Sequence, residues 1–241
     1  MILVTGFEPF GGLKHNPSAT LLERLPQGVG DHPLHKAILP VDSAALPGVL
    51  RKLHALKPKV VLHLGLAEGR PLLSLERLAI NLLDFERPDN RGIRWEDTPV
   101  VPGGPLALEA RFPLKESLRR LREAGIPAKQ SLSAGSYLCN QAFYLSLFHL
   151  PPEVPVGFVH LPPDETLALE RGGAYLPLAE QVRGGKRDLP QGDASPASPA
   201  RPRGRGRLAP GRGQRMDPPG FRSKGGTCAR LPILRGPPFG I

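Results

Sequence analysis

An α/β fold is predicted for this 241-residue chain: a single three-layer α/β/α domain with a mainly parallel central sheet, followed by an irregular C-terminal tail. Three observations point to it. Short β-rich runs alternate with amphipathic helical patterns through the first 183 residues, the signature of parallel strands joined by helices. The run Lys59–Gly65 (KVVLHLG) is apolar almost throughout, as a strand buried on both faces requires. From Gly184 onward the pattern stops, and 58 residues hold 12 Gly and 10 Pro, a share at which a segment without periodicity does not build a core.

Met1-Ile2-Leu3-Val4 reads as the first strand, giving way at once to Thr5-Gly6. Asn16 is placed to cap a helix with Pro17 in its first turn and Leu21, Leu22 and Leu25 on one side. His35–Val41 is a strand. Ser43 is expected to cap the next helix, in which Leu46, Val49, Leu50, Leu53 and Leu56 recur at helical spacing until Pro58. After Lys59–Gly65, the stretch Leu72–Leu83 favours a strand around Leu78–Asn81, and a polar loop with Pro88-Asp89-Asn90 and Gly92 follows. Pro113–Ala124 is an amphipathic helix (Leu114, Leu118, Leu121) closed by Gly125. Lys129–Ser133 is a strand or its approach, Ala134-Gly135-Ser136 a tight turn, and Cys139–His149 a helix stopped by Pro151-Pro152. Val154–His160 is the last strand. A helix opening at Tyr175 is expected to be interrupted by Gly184-Gly185, which sets a boundary between residues 1–183 and 184–241.

Charge supports that boundary. Residues 1–183 hold 20 Lys+Arg and 19 Asp+Glu, whereas residues 184–241 hold 12 and 3, so nearly all of the formal +10 belongs to the tail. The two cysteines, Cys139 and Cys228, fall on opposite sides of it. They form no disulfide framework and fit a reducing compartment. The N-terminus lacks the basic flank of a signal peptide, and no apolar run reaches the ~18 residues of a membrane span. The expectation is a soluble, cytoplasmic protein.

The chemistry centres on Cys139. Free amides and the dipole at a helix start favour negative charge there, which biases a thiol toward the nucleophilic thiolate. A lone cysteine is also a common small core residue. A thiol nucleophile needs a base, and the base needs an orienting group. His160 ends an apolar strand and is followed by Leu161-Pro162-Pro163, which exposes the imidazole at the sheet end, whereas His63 lies mid-strand where a histidine is more often a satisfied core residue. For the orienting carboxylate, spacing does not choose among Glu76, Asp84, Glu86 and Asp89. In Gly6-Phe7-Glu8-Pro9-Phe10-Gly11-Gly12, two aromatics and three glycines follow the first strand. The spacing matches no phosphate loop. A loop presenting Phe7 and Phe10 to a small flat ligand fits, as does plain core packing.

Five blocks, in order, carry a resemblance to a known family: Thr5–Gly12 with Asn16-Pro17-Ser18; Glu76–Asn81; Pro88-Asp89-Asn90; Ala134–Asn140; and Phe158–Pro162. Together they resemble the pyroglutamyl peptidase I family of cysteine peptidases over residues 1–182. The resemblance implies removal of an N-terminal pyroglutamate from peptides by a triad of Cys139, His160 and Glu76, through an acyl-enzyme. It implies a lactam ring held between Phe7 and Phe10 with Tyr137 and Leu138 at its edge. No metal or cofactor is implied, and no metal-ligand spacing appears in the sequence. A homodimer or homotetramer is implied.

The chain departs from the family in two places. The family pattern Asp-Ala-Arg-Ile-Pro-Asp-Asn reads Asp84-Phe85-Glu86-Arg87-Pro88-Asp89-Asn90 here, so the arginine is displaced by one position. Helical patterning, charge balance and resemblance all end within a few residues of Gly184, so the tail reads as disordered or as the product of a reading-frame change. The alternative function class is nucleic-acid binding through Arg201–Arg207 (RPRGRGR) on a catalytically impaired core. Poor provision for base stacking reduces that to non-specific binding.

Overall fold

The computed structural model describes residues 1–188; the disorder or reading-frame change and the nucleic-acid binding expected of the Arg/Pro/Gly-rich tail fall, beyond residue 188, outside the described residues. Among the described residues eight strands are formed: β1 (Ile2–Phe7), β2 (Gly28–Val29), β3 (His32–Leu39), β4 (Val60–Leu66), β5 (Leu73–Ile80), β6 (Ala107–Glu109), β7 (Ala128–Ser133) and β8 (Val156–Leu161). In the same residues six helices accompany them: α1 (Pro17–Arg24), α2 (Leu46–Ala55), α3 (Leu114–Glu123), α4 (Leu138–His149), α5 (Glu165–Arg171) and α6 (Leu178–Asp188).

The sheet runs β2-β3-β1-β4-β8-β5-β6, with β7 also paired to β5. Strands β3, β1, β4 and β8 are mutually parallel. β5 reverses direction against β8 and takes β7 as a parallel partner on its other edge. This reversal brings Ser74 into register with His160. Glu76, two residues further along β5, is therefore set back from the terminus of β8 and lies diagonal to His160.

Two apolar layers flank the sheet. On one side Leu62 and Leu64 of β4 and Val159 and Leu161 of β8 pack with Leu21, Leu22, Leu121 and Val182 from α1, α3 and α6. On the other, Val61 and Phe158 pack with Leu46 and Leu50 of α2 and Phe143 and Leu147 of α4. Period-2 alternation places His63 and Gly65 of β4, with Phe158 and His160 of β8, on the α4 face. Helix α4 is apolar on nearly every side and buried almost throughout, as a helix pressed between sheet and loops must be.

Two helix boundaries differ from expectation. Ser43 does not cap α2: the helix starts at Leu46 with Ala45 at the cap position, and Asp42 Oδ1 accepts from the Ala44 and Ala45 amides. Ser43 is drawn instead to Asp89, to which its amide and hydroxyl both donate. Gly184 and Gly185 do not interrupt α6, which runs to Asp188. They sit where the helix meets neighbouring side chains: a methyl on Gly184 would stand 2.8 Å from Leu73 Cδ1, and one on Gly185 3.2 Å from Leu21 Cδ2. The expected boundary at residue 183 thus falls inside a helix.

Candidate active site

Cys139 is the second residue of α4, whose cap residue Tyr137 offers the helix no side-chain acceptor. The first amides of the helix are therefore free for another acceptor. The approach is shaped by Gly135 in the left-handed region (φ +82°) and by Ser136, whose hydroxyl donates to the Asp84 carbonyl at 2.6 Å. Fully buried Asn140 fastens the helix to the end of β5: its side chain accepts from the Ile80 amide and donates to the Ile80 and Leu82 carbonyls. The sulfur lies over Gly65, where a Cβ would approach Sγ to 2.8 Å. Gly65 is the register partner of His160 across β4 and β8, so thiol and imidazole occupy adjacent positions on one face of the sheet.

His160 Nδ1 lies 2.7 Å from Glu76 Oε1, the imidazole 5 % exposed and the carboxylate wholly buried. Of the four carboxylates left open by spacing, Glu76 is thus the one bonded to His160. Asp89 is committed elsewhere, accepting from Ser43, Arg91 and Ile93. Asp84 and Glu86 are exposed at the cavity rim. His63 is a satisfied core residue, bonded to Thr5 Oγ1 and Ser146 Oγ.

Burial pushes the Cys139 thiol up to about 12, the Glu76 carboxylate adds to the rise, and Arg70 works against it. This reverses the thiolate bias expected from the helix start, because desolvation of a sulfur anion outweighs a partial dipole charge. The His160 imidazole is held below its ordinary value, first by burial and then by Arg70, against the opposing pull of Glu76. Both shifts favour the uncharged forms, a thiol beside an imidazole.

Cys139 and His160 open onto a cavity of about 290 Å³. Phe7, Phe10, Tyr137 and Leu138 all line it. Phe7 and Leu138 are nearly fully buried and form its floor, whereas Phe10 and Tyr137 are half-buried, with ring centroids 6.2 Å apart. Two loops are locked together around it: Asn90 donates to Glu8 Oε1 and to the Pro9 carbonyl, and Glu8 also accepts from the Val41 amide. At the rim, the displaced Arg87 bonds to Glu68 at 3.0 Å and lies 5.9 Å from the Phe10 ring centroid. Sequence reasoning missed Arg70, Asn140 and Gly65. No local motif marks the first or the last. Asn140 could have been singled out as a polar residue inside an apolar helical run. Among the described residues no group of three or more His, Cys, Asp or Glu is arranged to hold a metal ion, and no helix is long and apolar enough to cross a membrane.

A thiol at a helix start, beside an imidazole bonded to a buried carboxylate on a three-layer α/β/α fold, defines a cysteine-type hydrolase. Residues 1–186 match the pyroglutamyl peptidase family, and the chain belongs to it. It is 45 % identical over 167 residues to the pyrrolidone-carboxylate peptidase of Pyrococcus furiosus, covering 67 % of this chain and 80 % of that protein. It is 40 % identical over 197 residues to the pyrrolidone-carboxylate peptidase of Deinococcus radiodurans, covering 76 % and 89 %. The crystal structure of pyrrolidone carboxyl peptidase from Thermus thermophilus superposes with a TM-score of 0.78 at 68 % identity, over 79 % of this chain and 100 % of that one.

Proposed function

We propose that this chain removes N-terminal pyroglutamate from peptides, with Cys139 as nucleophile, His160 as general base and acid, and Glu76 as the group that orients the imidazole. The observation that carries this reading is the Glu76–His160 hydrogen bond at 2.7 Å, placed on the strand position next to the sulfur of Cys139. The thiol proton passes to His160 Nε2 as Sγ attacks the pyroglutamyl carbonyl, and Glu76 accepts from Nδ1–H, fixing the tautomer and offsetting the imidazolium charge. The free amides at the start of α4 take up the oxyanion. His160 returns the proton to the departing amine. A water, deprotonated by the same imidazole, then hydrolyses the thioester and regenerates the thiol.

The cavity suits a small flat ring. Phe7 and Phe10 bracket the lactam, and Tyr137 and Leu138 close its edge. A peptide bond on the far side of the ring carbonyl then lies by Cys139, while the Glu68–Arg87 pair stands on the rim.

Release of a fluorescent amine from a pyroglutamyl amide, compared between the parent chain and Cys139→Ala, tests the reading. Turnover in the parent and none in the variant is expected. Soluble, folded parent protein without turnover would overturn it. Size-exclusion chromatography with light scattering tests the accompanying expectation of a homodimer or homotetramer; a monomer at micromolar concentration would remove it.

A further inference from the structure

The two oxygens of the Glu76 carboxylate are used unequally. Oε1 accepts from His160 Nδ1 at 2.7 Å and from Arg70 Nη1 at 2.6 Å, whereas Oε2 is buried with no protein partner. A carboxylate charge in a dry site needs a compensating cation, and of the described side chains Arg70 is the arginine or lysine paired with it. Arg70 belongs to the turn between β4 and β5, where its amide donates to the Ala67 carbonyl. Its side chain is 30 % exposed and reaches inward from the surface. Ser131 Oγ of β7 receives a weaker contact from the same nitrogen at 3.4 Å.

We propose that Arg70 is a positioning residue for the reaction. It holds Glu76 Oε1 where His160 Nδ1–H meets it and, across that shared oxygen, limits how strongly the imidazole binds a proton. The inference rests on the reading of Cys139, His160 and Glu76 given above.

The electrostatics follow from which groups face the imidazole. They are Glu76 from β5, Arg70 from the β4–β5 turn and Cys139 from α4; Glu68 of the same turn lies further round the cavity, tied to Arg87 and Arg171. Glu76 pulls a proton toward His160 against the burial of the imidazole, and a resting carboxylate–imidazolium pair would be unable to take the thiol proton. A guanidinium sharing the same oxygen opposes that state, and in a low-dielectric site a charge at this range acts strongly. The same cation steadies the carboxylate, whose second oxygen has no protein partner. Arg70 does not touch the reacting atoms; it acts through Glu76.

The test compares pH–rate profiles of the parent, Arg70→Gln and Arg70→Lys on a pyroglutamyl amide. In Arg70→Gln, kcat is expected to fall about 10- to 100-fold, the range set by loss of one charge-assisted hydrogen bond, with KM changed little. The acid limb of kcat/KM is expected to move to higher pH, because the cation that opposed imidazole protonation is gone. Arg70→Lys keeps the charge and should retain the parental acid limb and most of the lost kcat. An Arg70→Gln enzyme with parental kcat and acid limb would overturn the inference, as would a loss of activity matched by Arg70→Lys with neither limb displaced. Should Arg70→Gln not fold, Arg70→Lys carries the test by itself: a partial fall in kcat with an unmoved acid limb supports the inference, and either a parental kcat or a displaced limb overturns it. Inactivity of the parent enzyme would instead fell the underlying reading, so the two failures are distinguishable.

Discussion

Gly65 and Cys139 stand so close that a single methyl group added to the glycine would lie 2.8 Å from the cysteine sulfur. The same methyl would lie 2.8 Å from Phe158 Cζ, so it has no free direction in which to move. Gly65 therefore gives Cys139 its seat on the sheet beside His160. Gly65→Ala is expected to lower kcat on a pyroglutamyl amide by at least about tenfold, since small displacements of a nucleophile are costly. It is also expected to destabilise the fold by about 1–3 kcal/mol through overpacking. Steady-state kinetics alongside urea unfolding measure both; unchanged kinetics would mean that the sulfur has room that the packing denies.

The neutral state of the thiol has its own signature. With the Cys139 thiol pushed up to about 12 and the imidazole held low, the resting enzyme holds little thiolate at neutral pH. Alkylation of Cys139 by iodoacetamide should therefore keep rising with pH beyond 8.5, the ordinary thiol range, with no plateau near pH 6. Peptide mass mapping separates Cys139 from Cys228 and reads each rate. A plateau in the acid range would indicate a preformed thiolate–imidazolium pair.

A second buried histidine makes the fold acid-sensitive. His63 lies wholly buried between Thr5 Oγ1 at 2.7 Å and Ser146 Oγ at 2.9 Å, and Ser146 Oγ is in turn 3.0 Å from His54 Nε2. Burial takes His63 from 6.5 down to about 3, and His54 to about 4. Because both values are depressed in the fold, the unfolded chain binds more protons at acid pH. Their stabilising effect is complete above pH 6.5 and is lost as pH falls toward 3–4. Between pH 7 and pH 4, His63 by itself should cost about 3 kcal/mol. Urea unfolding across that range should show a steep loss in the parent and a shallower one in His63→Gln. Parallel slopes for the two proteins would assign the acid sensitivity elsewhere.

Much of the site was legible in the chain because its parts are local. A cysteine after a Gly-Ser turn at a helix start and a histidine closing an apolar strand before two prolines are patterns a few residues long, and the five ordered blocks brought Glu76 in beside them. The elements themselves follow from periodicity, so β4, α3 and α4 fall within two residues of expectation. Short or polar elements left weaker traces. β6 is three residues with exposed ends, and α5 is one of seven residues, although Asp164 caps it and Glu165 follows, a start signal that could have been read. The helix break expected at Gly184 misread composition for geometry. Glycine lowers helix propensity by about 1 kcal/mol, but at Gly184 and Gly185 it also lets α6 sit against Leu73 and Leu21, and tertiary packing outweighs propensity.

By itself the sequence determined the α/β class and the order of its main strands and helices, and it singled out Cys139 and His160 as candidates, with Glu76 joining them only through the family resemblance. These depend on periodicity and on short motifs, which are properties of neighbours along the chain. Only the tertiary structure decided the rest. The reversal of β5 sets Glu76 against His160, and Arg70 is brought onto the same oxygen across a turn. Burial, which no sequence pattern measures, pushes Cys139 toward the neutral thiol, against the thiolate bias expected from the helix start. Such features arise from contacts between residues distant along the chain, where desolvation and charge pairing depend on distances that folding alone creates.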